Sequence, residues 1–163
     1  MPSNPLESEI IEKYGNRVRI RVCGLCWKDD HLLMVNHKHL TNGDFWAPPG
    51  GGLEFGQSAH DALMREFLEE TTISIKPGRL LFTCELLKPP LHAIELFFET
   101  FYEHGEPEIG EDPESTSTNQ LIQDVRYLNF KTIMSIPADE RHGIFRSVKT
   151  IEDLKKLNGF YRI

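Results

Sequence analysis

At 163 residues, with 39% apolar and 26% charged side chains, the chain has the make-up of one ordinary globular domain, long enough to bury a core without disulfide or metal staples. A formal net charge of -7 argues against a general nucleic-acid binder, whose phosphate partners demand a basic surface, but leaves a nucleotide substrate open where cations supply the positive charge. No stretch reaches the apolar length of a membrane span, Met1 to Glu12 lacks a leader pattern, and Cys23, Cys26 and Cys84 make no disulfide framework, so no membrane partner and a cytoplasmic location are expected.

Arg17-Val18-Arg19-Ile20-Arg21-Val22 alternates strictly and predicts a half-buried strand continuing towards Trp27, with the arginines on its wet face. Cys23 and Cys26 spell C-x-x-C within it, yet their odd spacing sends them to opposite faces, which argues against a redox or zinc pair. After the Asp29-Asp30 turn, His31 to His37 reads as a second strand, in a hairpin with the first. Leu40 to Pro49 is turn-rich and aromatic. Pro48-Pro49-Gly50-Gly51-Gly52 suits neither a regular helix nor a central strand and predicts a loop.

Ser58 then reads as a helix N-cap, with Asp61 three residues on as a short-armed capping-box partner, and the helix runs to about Thr71. Leu80 to Leu87 and Ala93 to Tyr102 predict two strands on either side of Lys88-Pro89-Pro90. His104 to Asn119 is polar and reads as a surface loop, either a lid or a connector. Asp124 to Phe130 predicts a final strand, Thr132-Ile133-Met134 starts a short helix, and Thr150 to Leu157 reads as another before Gly159.

The chemistry concentrates on the central helix. A helix turns about 100° per residue, so Glu66, Glu69 and Glu70 share one face within an arc of about 100°. Like charges at this spacing repel, and a hard divalent cation reverses the sign. The alternative is a solvated acidic face. Ala59 and Ala62 lie on the carboxylate side, however, where small side chains admit another backbone, while Leu63, Met64 and Phe67 form a separate apolar stripe expected in the core.

In this register the chain resembles the Nudix hydrolase family, whose box runs Gly, five residues, Glu, seven residues, Arg-Glu-U-x-Glu-Glu-x-Gly-U, with U bulky and aliphatic. Gly51, Arg65, Glu66, Glu69, Glu70 and Ile73 match it, Phe67 matches as a bulky apolar residue, and Phe45-Trp46-Ala47-Pro48-Pro49-Gly50 resembles the usual approach. The resemblance implies an α/β fold, an α/β/α sandwich with a mixed sheet, over residues 1–163 as a single domain. It also implies Mg2+- or Mn2+-dependent hydrolysis of a nucleoside diphosphate linked to another moiety, and a homodimer. Glu66, Glu69, Glu70 and the Gly51 carbonyl are the implied metal ligands, with Glu66 a candidate base and Arg65 its orienting partner. Glu54 and Gln57 stand behind them or on their waters.

Two positions depart from the pattern. Gln57 replaces a Glu and Thr72 a Gly, which predicts reduced or altered activity and a changed exit from the helix. Family members draw a further acidic ligand or base from the loop before the last strand, where Glu111, Asp112, Glu114 and Asp124 stand. Pro89, sixteen residues past the box, resembles a proline associated with ADP-ribose pyrophosphatases, and is alternatively a simple turn residue. Trp46, Phe45 and Arg21 are candidates to stack on or pair with a base, the alternatives being core for the aromatics and a solvated strand face for Arg21. A nucleotide sugar such as ADP-ribose, a nucleoside triphosphate, and a non-catalytic nucleotide-binding module are the readings left open.

Overall fold

The computed structural model describes residues 5–38, 43–110 and 121–163. In chain order the elements are α1 (Pro5–Tyr14), β1 (Arg17–Leu25), β2 (Trp27–Lys28), β3 (His31–Lys38), β4 (Asp44–Ala47), β5 (Gly50–Gly52), α2 (Ala59–Thr71), β6 (Ser74–Lys88), β7 (Leu91–His104), β8 (Ile122–Asn129), α3 (Phe130–Ser135), a 3-10 turn (Gly143–Ser147), α4 (Ile151–Lys155) and β9 (Gly159–Arg162). One sheet runs β5-β1-β7-β6-β9 and is mixed: β1 lies parallel to β7 and β9 parallel to β6, while the other pairs are antiparallel. In the second sheet β3 pairs antiparallel with β2, β4 and β8.

Two cores flank these sheets. Val22, Leu33, Val35, Phe98 and Val125 pack with Ala62, Leu63 and Phe67 of α2, and Cys23, Met34, Phe82 and Phe97 pack with Ile133, Ile144, Phe145 and Leu154 from α3, the 3-10 turn and α4. This is the α/β/α sandwich that the resemblance implies. Cys23 and Cys26 fall in different cores, as their spacing requires.

Several local expectations are corrected. β1 and β3 do not form a hairpin, because the chain changes sheets at Cys26, whose carbonyl takes the Leu33 amide at 2.9 Å; only β2 returns onto β3. The alternation of β1 is real but reversed in its first half, where Val18 is 57% exposed and Arg21 turns inward beside Glu95. Gly50–Gly52 is a short edge strand, not a loop, and it lies so close to β1 that a Cβ on Gly50 would sit 2.2 Å from the Val22 carbonyl. β8 is followed by a further strand, β9, and α1 had no counterpart in the sequence reading.

The cap of α2 forms as expected, Ser58 Oγ accepting the Asp61 amide at 3.1 Å. Leu63 and Phe67 are wholly buried, whereas Met64, at the edge of the stripe, is 39% exposed. Gly24 gives the Phe67 ring its place: a Cβ there would lie 2.7 Å from Phe67 Cε2 and 2.6 Å from Thr100 Cγ2. Gly24→Ala is therefore expected to destabilise the fold by about 1–3 kcal/mol, read by urea unfolding, and Phe67→Leu in the same chain to relieve the clash. An unshifted midpoint for Gly24→Ala would show that the ring has room to move.

Candidate functional site

The site is built where α2 meets β5. The Glu66 carboxylate lies over Gly51, where a Cβ would fall 2.2–2.3 Å from its carbon and oxygens, so only glycine leaves this space open. Glu70, 8% exposed, accepts the Gly50 amide at 3.0 Å. Arg65 links the remaining groups, reaching Glu69 at 3.0 Å, Glu66 at 3.1 Å and the Gly52 carbonyl at 3.2 Å, with Gln57 at 3.4 Å and Glu54 at 3.8 Å. The box residues thus neighbour one another, with Arg65 between Glu66 and Glu69 and with Glu70 turned to the Gly50 amide.

Burial pushes the Glu66 carboxyl up to about 7; the Glu69 charge adds to this and Arg65 opposes it. Among the described residues, no three acidic, histidine or cysteine side chains converge on one point. Arg65 draws Glu66 and Glu69 to itself, while the Gly50 amide holds Glu70. The donor set nevertheless suits a hard cation: carboxylate oxygens on one helix face, a desolvated carboxyl among them, packed against the glycine strand.

The helix exit keeps the form that glycine would give it. Thr72 takes the left-handed conformation itself, φ 60° and ψ 10°, with its amide on the Leu68 carbonyl and its hydroxyl donating to the Glu106 carbonyl at 2.7 Å. The β-branched residue costs about 1–2 kcal/mol there, and the hydroxyl bond offsets part of it. The expectation of a changed exit is corrected on this point. Glu108 and Gly110 amides bond to the Thr71 and Glu70 carbonyls, so this segment lies against the end of α2. Glu111, Asp112 and Glu114 lie outside the described residues, and Asp124 is engaged by Arg126.

A second group stands behind β5 that sequence reasoning missed. Arg21 donates to the Gly50 carbonyl at 3.3 Å and lies 3.5 Å from Glu95, which meets His142 Nε2 at 2.6 Å. His142 Nδ1 accepts the Ile144 amide at 3.2 Å, which fixes the ring. Burial alone would raise the Glu95 carboxyl; the His142 ring and then Arg21 hold it down at about 2. Stability from this group is present above the ordinary value of 4.5 and is lost as pH falls towards about 2, up to about 3 kcal/mol. Urea midpoints measured down this range should fall in the wild type and fall less in Glu95→Gln. Equal slopes would remove Glu95 from the acid response.

The expected base-binding residues separate. Trp46 packs towards the core that contains Met34, with the Arg126 guanidinium 6.0 Å over its ring, and its backbone is tied to Glu140 and His142. Phe45, its neighbour in β4, points to the other face of that strand, opposite His37. Arg21 belongs to the Glu95 group, not to a solvated stripe. Pro89 lies in the β6–β7 turn beside Arg17 and Val18, lining a cleft of about 290 Å³ at the end of β1 away from Gly50.

Comparison with known proteins accords with this geometry. The NUDIX domain profile matches residues 15–147. The chain is 30% identical over 95 residues to the ADP-ribose pyrophosphatase of Methanocaldococcus jannaschii, covering 57% of this chain and 56% of that protein. It is 31% identical over 87 residues to the NAD-capped RNA hydrolase NudC of Photorhabdus laumondii, covering 53% and 32%. The chain thus spans between about a third and just over half the length of these curated relatives. A NUDIX hydrolase from Nitrosomonas europaea superposes with a TM-score of 0.71 at 20% identity, over 87% of this chain and 93% of that one, which shows the shared fold. The box spacing, the sandwich that presents it and the match over residues 15–147 agree that the chain belongs to the NUDIX family.

Proposed function

We propose that the protein is a metal-dependent pyrophosphohydrolase that cleaves a nucleoside diphosphate linked to another moiety, with a nucleotide sugar of the ADP-ribose type as substrate. The observation that carries this reading is the Glu66 carboxylate seated over Gly51, beside Glu69 and Glu70 on the same helix. Glu66, Glu69, Glu70 and the Gly51 carbonyl would hold Mg2+ or Mn2+, which supplies charge neutralisation of the pyrophosphate and a more acidic water. Arg65 keeps Glu66 and Glu69 in place. Glu66, desolvated beside Glu69 and close to the other carboxylates, is the candidate to take the proton of the attacking water. The Gly50 amide fixes Glu70, and Arg21 fixes Gly50 from the other side.

Residues 1–163 form one domain in this reading. A homodimer and a cytoplasmic location belong to it too, supported by the exposed Val18, Ile20 and Leu87 and by three buried, free cysteines. Among the described residues, no helix is long and apolar enough to cross a membrane.

The test is incubation with Mg2+ or Mn2+ and a panel of nucleotide sugars and nucleoside triphosphates, with a Glu69→Gln control. Release of a nucleoside monophosphate from the sugar conjugates, lost in the control, is the expected result. Preferential turnover of triphosphates would move the substrate class. Tight binding without turnover of any compound would leave a binding module, the reading that the Glu-to-Gln change at Gln57 favours.

A further inference from the structure

β1 carries Arg17, Arg19 and Arg21 on one face, two residues apart, in a chain whose formal net charge is -7. Directly across from them on β7 stand Leu91, Ala93 and Glu95, so three cations face one carboxylate, and Glu95 already meets His142 Nε2 at 2.6 Å. Arg17 is exposed and reads as a solvated strand residue. Arg19 is half-buried and makes no ion pair among the described residues: its Nε is sealed from solvent without a hydrogen-bond partner, and its guanidinium lies 4.5 Å from the centre of the Tyr14 ring. Burial, and then the Arg21 charge, hold Arg19 below its ordinary value. Two like charges are thus kept side by side and partly dry, an arrangement that an anion between them would reverse.

The pair borders open space beside the glycine strand. Gly52 stands across from Arg21 on the same face, and a Cβ built there would meet nothing within 4 Å. β5 pairs with Arg21–Cys23 and ends at Gly52, so it does not cover the flank of Arg19. Arg21 donates to the Gly50 carbonyl at 3.3 Å, and the Gly50 amide holds Glu70 at 3.0 Å. One arginine therefore stands at the strand that faces the carboxylates, and the other about 7 Å further from Gly50 along β1.

We propose that Arg19, with Arg21 beside it, holds a further phosphate of the substrate, a monoester carried on the sugar next to the scissile pyrophosphate. The inference rests on the pyrophosphohydrolase reading and deepens it, since it narrows the substrate to a phosphorylated nucleoside diphosphate conjugate. A dianionic phosphate between the two guanidinium groups turns a repulsive pair into an attractive set, and the planar fork of Arg19 meets its oxygens with parallel N–H donors. The Tyr14 ring limits the orientations of that fork, so little freedom is lost on binding. The two-residue offset selects a phosphate about 7 Å from the pyrophosphate, and one at the far end of a long conjugate would overreach it.

Titration calorimetry in Mg2+ with adenosine 5′-monophosphate and adenosine 2′,5′-bisphosphate, neither of which has a phosphoanhydride to cleave, tests this on the wild type, Arg19→Met, Arg19→Gln and Arg19→Lys. A chain of net charge -7 without such a site binds the more anionic nucleotide less tightly, so the sign of the preference is itself diagnostic. The wild type should bind the bisphosphate about tenfold more tightly. Arg19→Met should abolish that preference, and Arg19→Lys should keep part of it, as a point charge without the fork. Thermal midpoints show whether each variant is folded, and Arg19→Gln decides the matter if the methionine variant is not. No preference in the wild type, a preference unchanged in the neutral variants, or binding of neither nucleotide overturns the assignment. Turnover of ADP-ribose and ADP-ribose 2′-phosphate separates the two readings. A preference lost in Arg19→Met, with neither conjugate turned over, keeps the phosphate site and sinks the hydrolase reading. Turnover without the preference does the reverse.

Discussion

Replacing Glu66 with glutamine lowers kcat about 10²- to 10⁴-fold and leaves the thermal midpoint at or slightly above that of the wild type. The two halves of this result have one cause. Glu66 is largely buried beside Glu69, so its charge is desolvated and faces a like charge, and Arg65 compensates only in part. Glutamine keeps the volume over Gly51 and removes that charge. Arg65 retains Glu69, the Gly52 carbonyl and Gln57, so the helix loses little by the change. A group that costs the fold and is nonetheless placed on a glycine with no room for a Cβ is what the proposed chemistry calls for. Steady-state rates in Mg2+ and Mn2+, with thermal unfolding of the same samples, check both halves. Wild-type turnover would exclude Glu66 as ligand and base, and early unfolding would make it a structural residue.

The sequence made the site legible where the interactions are local. Gly51, Arg65, Glu66, Glu69 and Glu70 could be placed together because one helix sets their angles, and the Ser58 cap announces where that helix begins. Arg21 shows the limit. Alternation in β1 correctly separates two faces, but it does not say which one another element covers, and here α2 covers the strand only from Val22 onward. Glu95 and His142 are 47 residues apart and meet only through the crossing of β7 with the segment after α3, so no spacing rule links them. β9 has four residues, too few for a period to register, and its strand character comes from pairing with β6.

Arg21→Met is expected to cost about 2–3 kcal/mol of stability and to lower kcat/KM by about two orders of magnitude. The stability loss follows from Glu95, which sits 6% exposed and keeps His142 as donor but loses the cation beside it. The figure falls below that of a fully buried pair because Arg21 retains 26% side-chain exposure. The activity loss follows from Gly50, whose carbonyl is held by Arg21 while its amide holds Glu70. Without the arginine, the strand that faces the carboxylates is free to shift, and a misplacement of about 1 Å is enough to cost two orders of magnitude. Adding Glu95→Gln separates the two effects. It removes the stranded charge and leaves His142 an oxygen to donate to, so urea unfolding should recover most of the lost stability. It restores nothing at Gly50, so kcat/KM should stay low. Recovery of both in the double variant would reduce Arg21 to a counter-ion for Glu95, and recovery of neither would make the arginine a packing residue whose aliphatic stem the fold requires. Recovery of stability alone is the outcome expected if the Glu95 group exists to hold β5 against the carboxylate helix.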